Sequence, residues 1–247
     1  MSNLKVIDSI DSILSSGGGL PQGILIELFG SEGSGKTSFS TLACANAQKA
    51  GLKVGYIDTE YAYDVNHAKN LGVNIDELAF QQPESAEEAL QLIKDWCKEG
   101  YGLIIVDSVA GLVPQAIIDG NGGLAELARL LALNLPAIAR EAKISGAIII
   151  FINQIRDKIS TFFNFGDRTS TCGGHALKHF ASIRLQLNRV AWLKYGVKVI
   201  GFKTRVRAVK NKKAPPYQDA FFQIVFDFSI DEKIRNKKLG ISEVKDD

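Results

Sequence analysis

Residues 30–38 read GSEGSGKTS and directly follow the apolar run GILIELF at residues 23–29. The stretch has the spacing G-x-x-x-x-G-K-T, and an apolar strand before it with a helix-forming stretch after it is the context of a phosphate-binding loop. In such a loop, backbone N–H groups and a helix N-terminus converge on phosphate oxygens, whereas a purely structural Gly-Ser turn is the alternative. We therefore expect a bound ATP, contacted by Gly30, Ser31, Glu32, Gly33, Ser34, Gly35, Lys36, Thr37 and Ser38.

A magnesium site is expected beside this loop. Lys36 reaches the β- and γ-phosphates, and the Thr37 hydroxyl can coordinate Mg²⁺. The run GLIIVDS places Asp107 at the end of an apolar strand, beside the loop if the two strands are neighbours. An Asp at a strand end can also be a helix cap, but together with the loop it fits a metal ligand that acts through a bound water.

Hydrolysis also requires a base that activates water. The run VGYIDTE offers Asp58 and Glu60 at the exit of a strand, and Glu60 is preferred because it stands just beyond the strand tip. The alternative for Glu60 is an exposed acid at a helix N-terminus. Gln154 ends the buried strand AIIIFINQ, where it is either a sensor of the γ-phosphate or a turn residue.

The pattern of apolar runs predicts an α/β fold. Near-continuous apolar strands that alternate with helices are typical of a parallel sheet covered on both faces. After Gly174 the pattern changes to apolar-polar alternation, which predicts antiparallel strands. Pro136 should kink or shorten the helix predicted for residues 124–143. The other predicted helices cover residues 36–50, 61–71 and 85–98, and the predicted parallel strands are GILIELF, KVGYID, LAFQQ, GLIIVDS and AIIIFINQ.

Composition limits the class of protein. The 247 residues are 46% hydrophobic, enough for one large globular domain, and no apolar run approaches the ~20 residues of a membrane span. We expect a cytoplasmic protein with no membrane partner. The net charge is +2, but residues 168–218 hold 12 Lys or Arg and no acid, which leaves the rest of the chain at −10. Such a segment fits either a polyanion-binding face or ordinary solvated surface.

Six stretches together resemble the core of the bacterial RecA recombinases in order and spacing. The likeness runs from about residue 5 to residue 228 and implies a RecA-like P-loop NTPase, with a mostly parallel central sheet flanked by helices and extended by antiparallel strands. We divide the chain into a lead segment (1–22), an ATPase core (23–230) and a charged tail (231–247). The stretches are GSEGSGKTS, YIDTEYAYD, IIVDSVAGLVP, IFINQIRDKI, TCGGHALKHFASIRLQL and RVRAVKNKKAPP.

The resemblance assigns roles residue by residue. It makes Glu60 the base and Gln154 the link between the γ-phosphate and a DNA-binding loop, although an ordered packing loop is the alternative for the segment after Gln154. Phe162 and Phe165 are extra aromatic residues in that segment. Three kinds of group suit single-stranded DNA: basic side chains bind its phosphates, an aromatic ring stacks on its bases, and glycine amides approach its backbone. The implied DNA-binding residues are Arg129, Arg156, Lys158, Phe163, Gly173 and Gly174.

Two further assignments concern the nucleotide. The family counterparts of Lys210 and Lys212 reach across a subunit interface to the neighbour's ATP, as an arginine finger does. A strand edge protected by lysines is the alternative. Asp64 and His67 match adenine-contacting positions, and histidine departs from the tyrosine that is usual at the second of them.

The resemblance implies an ATP-dependent, single-stranded-DNA-binding ATPase of homologous recombination and DNA repair, active as a head-to-tail oligomer in a filament or ring. About 22 residues precede the first strand and the tail after residue 230 is short, so we expect a reduced N-terminal helix, no separate C-terminal domain and only weak binding of duplex DNA. The first DNA loop, near IDGNGGLAEL, is also about three residues short. Two alternatives remain open: a RecA-fold motor or clock-type ring, and a regulatory protein without strand exchange.

Overall fold

The computed structural model describes residues 3–123, 125–157, 169–225 and 241–243. Alternating helices and strands dominate the first half of this part of the chain, and long strands follow. The strands are β1 (Ile24–Gly30), β2 (Val54–Asp58), β3 (Leu78–Gln81), β4 (Leu103–Asp107), β5 (Ile148–Asp157), β6 (Thr169–Thr171), β7 (Ile183–Tyr195), β8 (Lys198–Asn211), β9 (Asp219–Val225) and β10 (Ile241–Glu243). The helices are α1 (Asp8–Leu14), α2 (Lys36–Lys49), α3 (Val65–Asn70), α4 (Ala86–Lys98), α5 (Gln115–Ile118), α6 (Glu126–Ser145) and α7 (Ala176–Phe180).

One sheet joins nearly all of these strands in the order β10-β9-β8-β7-β1-β5-β4-β2-β3, and β6 pairs with β5 beside this path. The strands from β3 to β7 along this order pair in parallel, and β7, β8, β9 and β10 pair antiparallel. The predicted mostly parallel sheet with an antiparallel extension is confirmed.

Two layers of apolar side chains cover the central strands. Along β1, Ile24, Ile26 and Leu28 pack with α1 and α2, whereas Leu25 packs on the opposite face with α4 and α6. Side chains of a strand alternate between the two faces of a sheet, so a strand covered on both faces is buried at every position. β1, β2 and β4 are buried in this way, and their residues are apolar or glycine except for Glu27, Asp58 and Asp107.

The segment before β1 packs on the core. Leu4 and Leu20 pair through their backbones, and α1 contributes Ile10 and Leu14 to the apolar layer on the α2 side of the sheet. Asp11, in the same helix, is buried and accepts the Val6 N–H through both carboxylate oxygens, at 3.1 and 3.0 Å. The lead segment predicted for residues 1–22 therefore shares its packing with the core.

Helix boundaries differ from the expectation in two places. Helix α6 continues through Pro136 to Ser145 and so does not end early. Pro136 and Ala132, whose carbonyl loses its partner to the proline, both lie on the exposed face, where water can hydrate that carbonyl. The helix predicted for residues 61–71 begins only at Val65, because Asp64 caps it. Among the described residues, no helix combines the length and apolar character that crossing a membrane requires.

Candidate functional site

The glycine-rich loop connects the end of β1 at Gly30 with the start of α2 at Lys36. Gly35 has a φ of 92°, and a Cβ there would lie 2.6 Å from the Ile224 Cδ1 atom, so only glycine fits the turn. The first amides of α2 have no partner within the helix and are available to an anion. The loop borders a cleft of about 290 Å³, which is lined by Glu32, Gly33, Gly35, Lys36, Thr37, Ser38, Glu60, Asp107, Ile152, Gln154 and Phe202.

Lys36 lies nearly buried in this loop. Its Nζ atom donates to the carbonyl oxygens of Gly30 at 3.1 Å and Ser31 at 2.8 Å. Burial lowers the pKa of the Lys36 ammonium, and the nearby carboxylates, Asp107 foremost, oppose that shift. A buried ammonium is stabilised by an anion, so the loop and its lysine fit phosphate groups.

Asp107 reaches the loop although its strand is not adjacent to β1. The sequence places Asp107 beside the loop if β4 and β1 are neighbours, but β5 lies between them. Thr37 bridges the gap, because its hydroxyl, on the first turn of α2, donates to Asp107 Oδ2 at 2.9 Å. Burial raises the pKa of Asp107, while hydrogen bonds from Tyr56 and Thr37 oppose that shift. Hydroxyl and carboxylate oxygens are the donors that Mg²⁺ prefers, so the pair fits a magnesium ion.

Glu60 projects from the exit of β2 into the same cleft. Its Oε1 atom accepts hydrogen bonds from the Ser108 hydroxyl and from Gln154 Nε2, the latter at 3.0 Å. Gln154 lies within β5 and Ser108 directly follows β4, so the carboxylate of Glu60 connects the exit of β2 with both of these strands. The two residues that we selected as base and γ-phosphate sensor are thus in direct contact.

Asp58, the alternative base, is 2% exposed and has a different position. It accepts hydrogen bonds from the backbone N–H groups of Glu60 and Tyr63 and from Gln82 Nε2. Asp58 does not line the cleft. Its carboxylate therefore shapes the turn after β2, and the geometry favours Glu60 as the base.

Thr59 ties this turn to the end of β4. Its Oγ1 atom donates to the Ser108 carbonyl oxygen at 2.7 Å and accepts from the Ser108 N–H at 2.9 Å. The Thr59 N–H also donates to the Asp107 carbonyl oxygen at 2.8 Å. These bonds extend the pairing of β2 and β4 by one residue, so that it reaches the residue directly before Glu60.

The two residues expected to contact adenine lie at the start of α3. Asp64 Oδ1 accepts from the N–H groups of Asn66 and His67 and so caps the helix. His67 Nε2 lies 3.1 Å from the Ser38 hydroxyl, which connects α3 to the first turns of α2. The structure places His67 beside the phosphate-loop helix, and the adenine contact of both residues stays a prediction.

A family model described as the RecA N-terminal domain matches residues 6–231. The chain belongs to the RecA family. Protein RecA of Acinetobacter baylyi is 45% identical over 213 residues, which are 85% of this chain and 60% of that protein. Protein RecA of Streptomyces venezuelae is also 45% identical over 213 residues, 85% of this chain and 56% of that protein. The chain thus spans about 60% of the length of the curated relatives it matches.

The fold also matches a solved structure. The crystal structure of the RadB recombinase aligns with a TM-score of 0.67 and 22% identity, and the alignment covers 98% of this chain and 100% of that chain. The predicted RecA-like P-loop NTPase fold, with helices on both faces of a mostly parallel sheet, is confirmed.

In this RecA-family chain, a buried polar network connects Asn153 of β5 with Cys172, which directly follows β6. Asn153 Oδ1 accepts from the N–H groups of Gln154 and Cys172, and its Nδ2 atom donates to the Cys172 carbonyl oxygen and to Glu27 Oε1. Glu27, which is fully buried on β1, also pairs with the Arg184 guanidinium. Asn153 therefore joins the two chain segments between which the predicted DNA loop lies.

The structure describes four of the six predicted DNA-binding residues, namely Arg129, Arg156, Gly173 and Gly174. Arg156 lies on β5, where its backbone pairs with Ser170 of β6. Lys158, Phe163, Phe162 and Phe165 lie outside the described residues. Arg129 is exposed near the start of α6.

Gly173 and Gly174 have a packing role. A Cβ at Gly173 would lie 2.5 Å from Leu131 Cδ1, and one at Gly174 would lie 2.9 Å from Ala128 Cβ. Both glycines thus let the chain approach α6 closely. This contact explains the residue type without DNA, and their DNA-binding role stays a prediction.

Lys210 and Lys212 differ in their surroundings. Lys210 Nζ donates to the carbonyl oxygens of Lys178 at 2.6 Å and His179 at 2.9 Å, near the end of α7. Burial, together with the positive charges of Lys212 and Arg184, lowers the pKa of Lys210. Lys212 follows β8 and is exposed. Their action on a neighbouring subunit stays a prediction.

Several basic side chains of the acid-free segment 168–218 contact other side chains of the protein. Arg207 forms two hydrogen bonds with Asp219, at 2.8 and 2.7 Å, and the Arg189 guanidinium lies 4.1 Å from the Trp192 ring. Arg184 is bound to Glu27. Part of the positive charge is therefore balanced locally, and the excess available to a polyanion is smaller than the sequence count.

Five residues at the site are not identified from the sequence: Ser108, Thr59, Tyr56, Ile152 and Phe202. Ile152 belongs to an apolar strand run, which indicates core packing. Ser108 and Thr59 each adjoin a residue that was selected, so neighbourhood in sequence was an available signal. Tyr56 lies within an apolar strand run, where an aromatic residue indicates core packing. Phe202 comes from β8, far away in sequence, and no local pattern marks it.

Proposed function

We propose that this chain binds ATP with Mg²⁺ and hydrolyses it, and that single-stranded DNA regulates the reaction. The observation that carries the proposal is the contact of Glu60 with both Ser108 and Gln154 in a cleft that Lys36 and Asp107 also line. A phosphate loop alone supports nucleotide binding. A carboxylate held opposite it, just beyond the end of β2, adds the base that hydrolysis requires.

Each side chain has a separate task in this proposal. The loop amides and Lys36 bind the phosphates, and Thr37 with Asp107 would hold Mg²⁺. The ion would supply positive charge that offsets the phosphate oxygens. Glu60 takes the proton from the attacking water, and its hydrogen bond from Ser108 fixes the direction of the carboxylate.

Coupling to DNA would run through Gln154. This residue touches Glu60 with its side chain, and the next residues of β5 pair with β6, with Ile155 opposite Thr171. A shift of the Gln154 side chain toward a phosphate would break its hydrogen bond to Glu60. The shift would also move β5 and β6, the two strands that flank the predicted DNA loop. ATP would thus order that loop, and hydrolysis would release DNA.

The proposed assembly is a head-to-tail oligomer with ATP at the subunit boundary. The exposed position of Lys212 at the end of β8 supports it, because that side chain is accessible to a neighbour. Homologous recombination is the proposed process, in line with relatives named Protein RecA and with a neighbour in structure named a recombinase.

The test is the rate of ATP hydrolysis with and without single-stranded DNA, for the wild type and Glu60→Gln. We expect DNA to stimulate the wild type and Glu60→Gln to lower turnover by about 10²-fold while ATP and DNA binding persist. Glu77→Gln, the same exchange at an exposed position on the turn before β3, is the control and should behave as wild type.

Each other outcome contradicts a different part of the proposal. An ATP hydrolysis rate that is unchanged by single-stranded DNA would favour a RecA-fold motor. Tight nucleotide binding without turnover would favour a regulatory protein. Full turnover of Glu60→Gln would place the base elsewhere.

A further inference from the structure

A buried tyrosine hydroxyl contacts the predicted metal ligand from behind. The Tyr56 hydroxyl donates to Asp107 Oδ2 at 2.7 Å, and Thr37 donates to the same oxygen at 2.9 Å. Tyr56 is 1% exposed and does not line the cleft. Asp107 does line it, so the carboxylate lies between the cleft on one side and the Tyr56 hydroxyl on the other.

The backbone and the packing fix the position of this hydroxyl. Tyr56 lies on β2 opposite Ile105 of β4, two residues before Asp107, so both groups belong to adjacent, fully buried strands. The Tyr56 ring packs against the rings of Tyr63 at 4.6 Å and Phe80 at 6.3 Å, measured between centroids. A donor held in this way has little freedom to follow a moving acceptor.

The two hydroxyls on Asp107 differ in what else they can bind. Thr37 belongs to the phosphate-loop helix and is itself a predicted metal ligand. Its hydroxyl oxygen would therefore contact both Asp107 and the Mg²⁺ ion. Tyr56 is sealed in the core and has no such second role. Within the described part of the chain, no hydrogen bond to Asp107 Oδ1 is found, so Tyr56 anchors one carboxylate oxygen and leaves the other to the cleft.

We propose that Tyr56 is a positioning residue for Asp107, which sets the affinity of the site for Mg²⁺ with ATP. The inference rests on the proposed function, because it concerns the metal of the same site. Removal of a residue that hydrogen-bonds to a metal ligand typically lowers the affinity for the metal by about 10- to 100-fold. Tyr56 would act through the orientation of Asp107 and would contact neither ATP nor the ion.

Tyr56→Phe removes only the hydroxyl and keeps the ring in its aromatic contacts. Tyr63→Phe is the matched control, since the Tyr63 hydroxyl is also buried but has no hydrogen-bond partner among the described residues. Binding of a fluorescent, slowly hydrolysed ATP analogue is titrated with Mg²⁺ for wild type and both variants. The same binding is then measured in EDTA, and melting temperatures verify that each variant is folded.

We expect Tyr56→Phe to require about tenfold more Mg²⁺ for half-maximal binding, with unchanged affinity in EDTA. Tyr63→Phe should match the wild type in both measurements. Mg²⁺ titrations that superimpose for Tyr56→Phe and wild type would overturn the inference, and so would an equal loss in EDTA, which indicates a packing effect. Wild-type binding that needs no Mg²⁺ would instead overturn the metal assignment within the proposed function.

Discussion

Thr59 offers a sharp test of how the catalytic turn is held. Its hydroxyl makes two hydrogen bonds to the backbone of Ser108, at 2.7 and 2.9 Å, and Ser108 is 1% exposed. Thr59→Val keeps the shape of the side chain and replaces the hydroxyl with a methyl group. Both backbone groups of Ser108 then lose this partner in a region from which water is excluded.

The Ser108 carbonyl oxygen keeps a hydrogen bond from the Gly111 N–H at 3.1 Å, so among the described residues the Ser108 N–H is the group left without a partner. A buried donor left in this way costs about 1–3 kcal/mol, and the variant should lose about that much unfolding free energy. That is a substantial part of the ~5–15 kcal/mol typical of a folded domain. Because Ser108 also donates to Glu60, the loss should reach the active site and lower turnover.

Urea unfolding and steady-state ATP hydrolysis measure the two effects. Thr59→Ser is the matched control, since it retains the hydroxyl and removes one methyl group, at a cost of about 1 kcal/mol. We expect the valine variant to be clearly less stable than the serine variant and slower in turnover. A valine variant as stable as the serine variant would refute the role assigned to the hydroxyl.

Two other predictions concern charged groups. Burial foremost raises the pKa of Asp11 from 3.8 to about 6, so ionisation is harder in the folded state. The stability that the protonated Asp11 contributes is complete below pH ~4 and is lost as the pH rises through about 6. The unfolding free energy should therefore fall by about 3 kcal/mol over this range. In Asp11→Asn, urea unfolding curves should not show this fall. An unaltered slope with pH would contradict this. Lys210→Met should cost about 1 kcal/mol through its bonds near the end of α7, whereas the exposed Lys212→Met should cost nothing measurable. Equal melting temperatures for these two variants would argue against a stabilising role of the Lys210 hydrogen bonds at α7.

The sequence was sufficient for the local architecture because the signals there are local. The phosphate loop needs its glycines at fixed spacing, and buried parallel strands need apolar residues on both faces, so both leave clear patterns. The position of β5 between β1 and β4 was not predicted. Strand order depends on contacts between segments far apart in sequence, and no local pattern encodes it. The continuation of α6 past Pro136 likewise depends on which face of the helix is exposed.

The site divides in the same manner. Lys36, Thr37 and Asp107 could be selected because their chemistry requires a particular residue type at a particular place in a motif. Tyr56 and Phe202 could not, since each has the residue type of ordinary core. Their roles depend on what lies beside them in the fold, namely Asp107 for Tyr56 and the cleft for Phe202.

The short run from Tyr56 to Glu60 shows how a rigid strand can support a site that must still respond to its ligand. Within it, Tyr56 anchors Asp107, Thr59 joins the turn to Ser108, and Asp58 holds the backbone of the turn. The contacts of Tyr56 and Thr59 are buried and that of Asp58 is partly buried, and sites held by locked neighbours are the more precise ones. The hydrogen bond from Gln154 to Glu60 differs, since it is exposed and joins the base to β5. It can therefore exchange its partner for a phosphate oxygen without breaking the buried contacts, so we expect the response to ATP to start at Gln154 while β2 stays fixed.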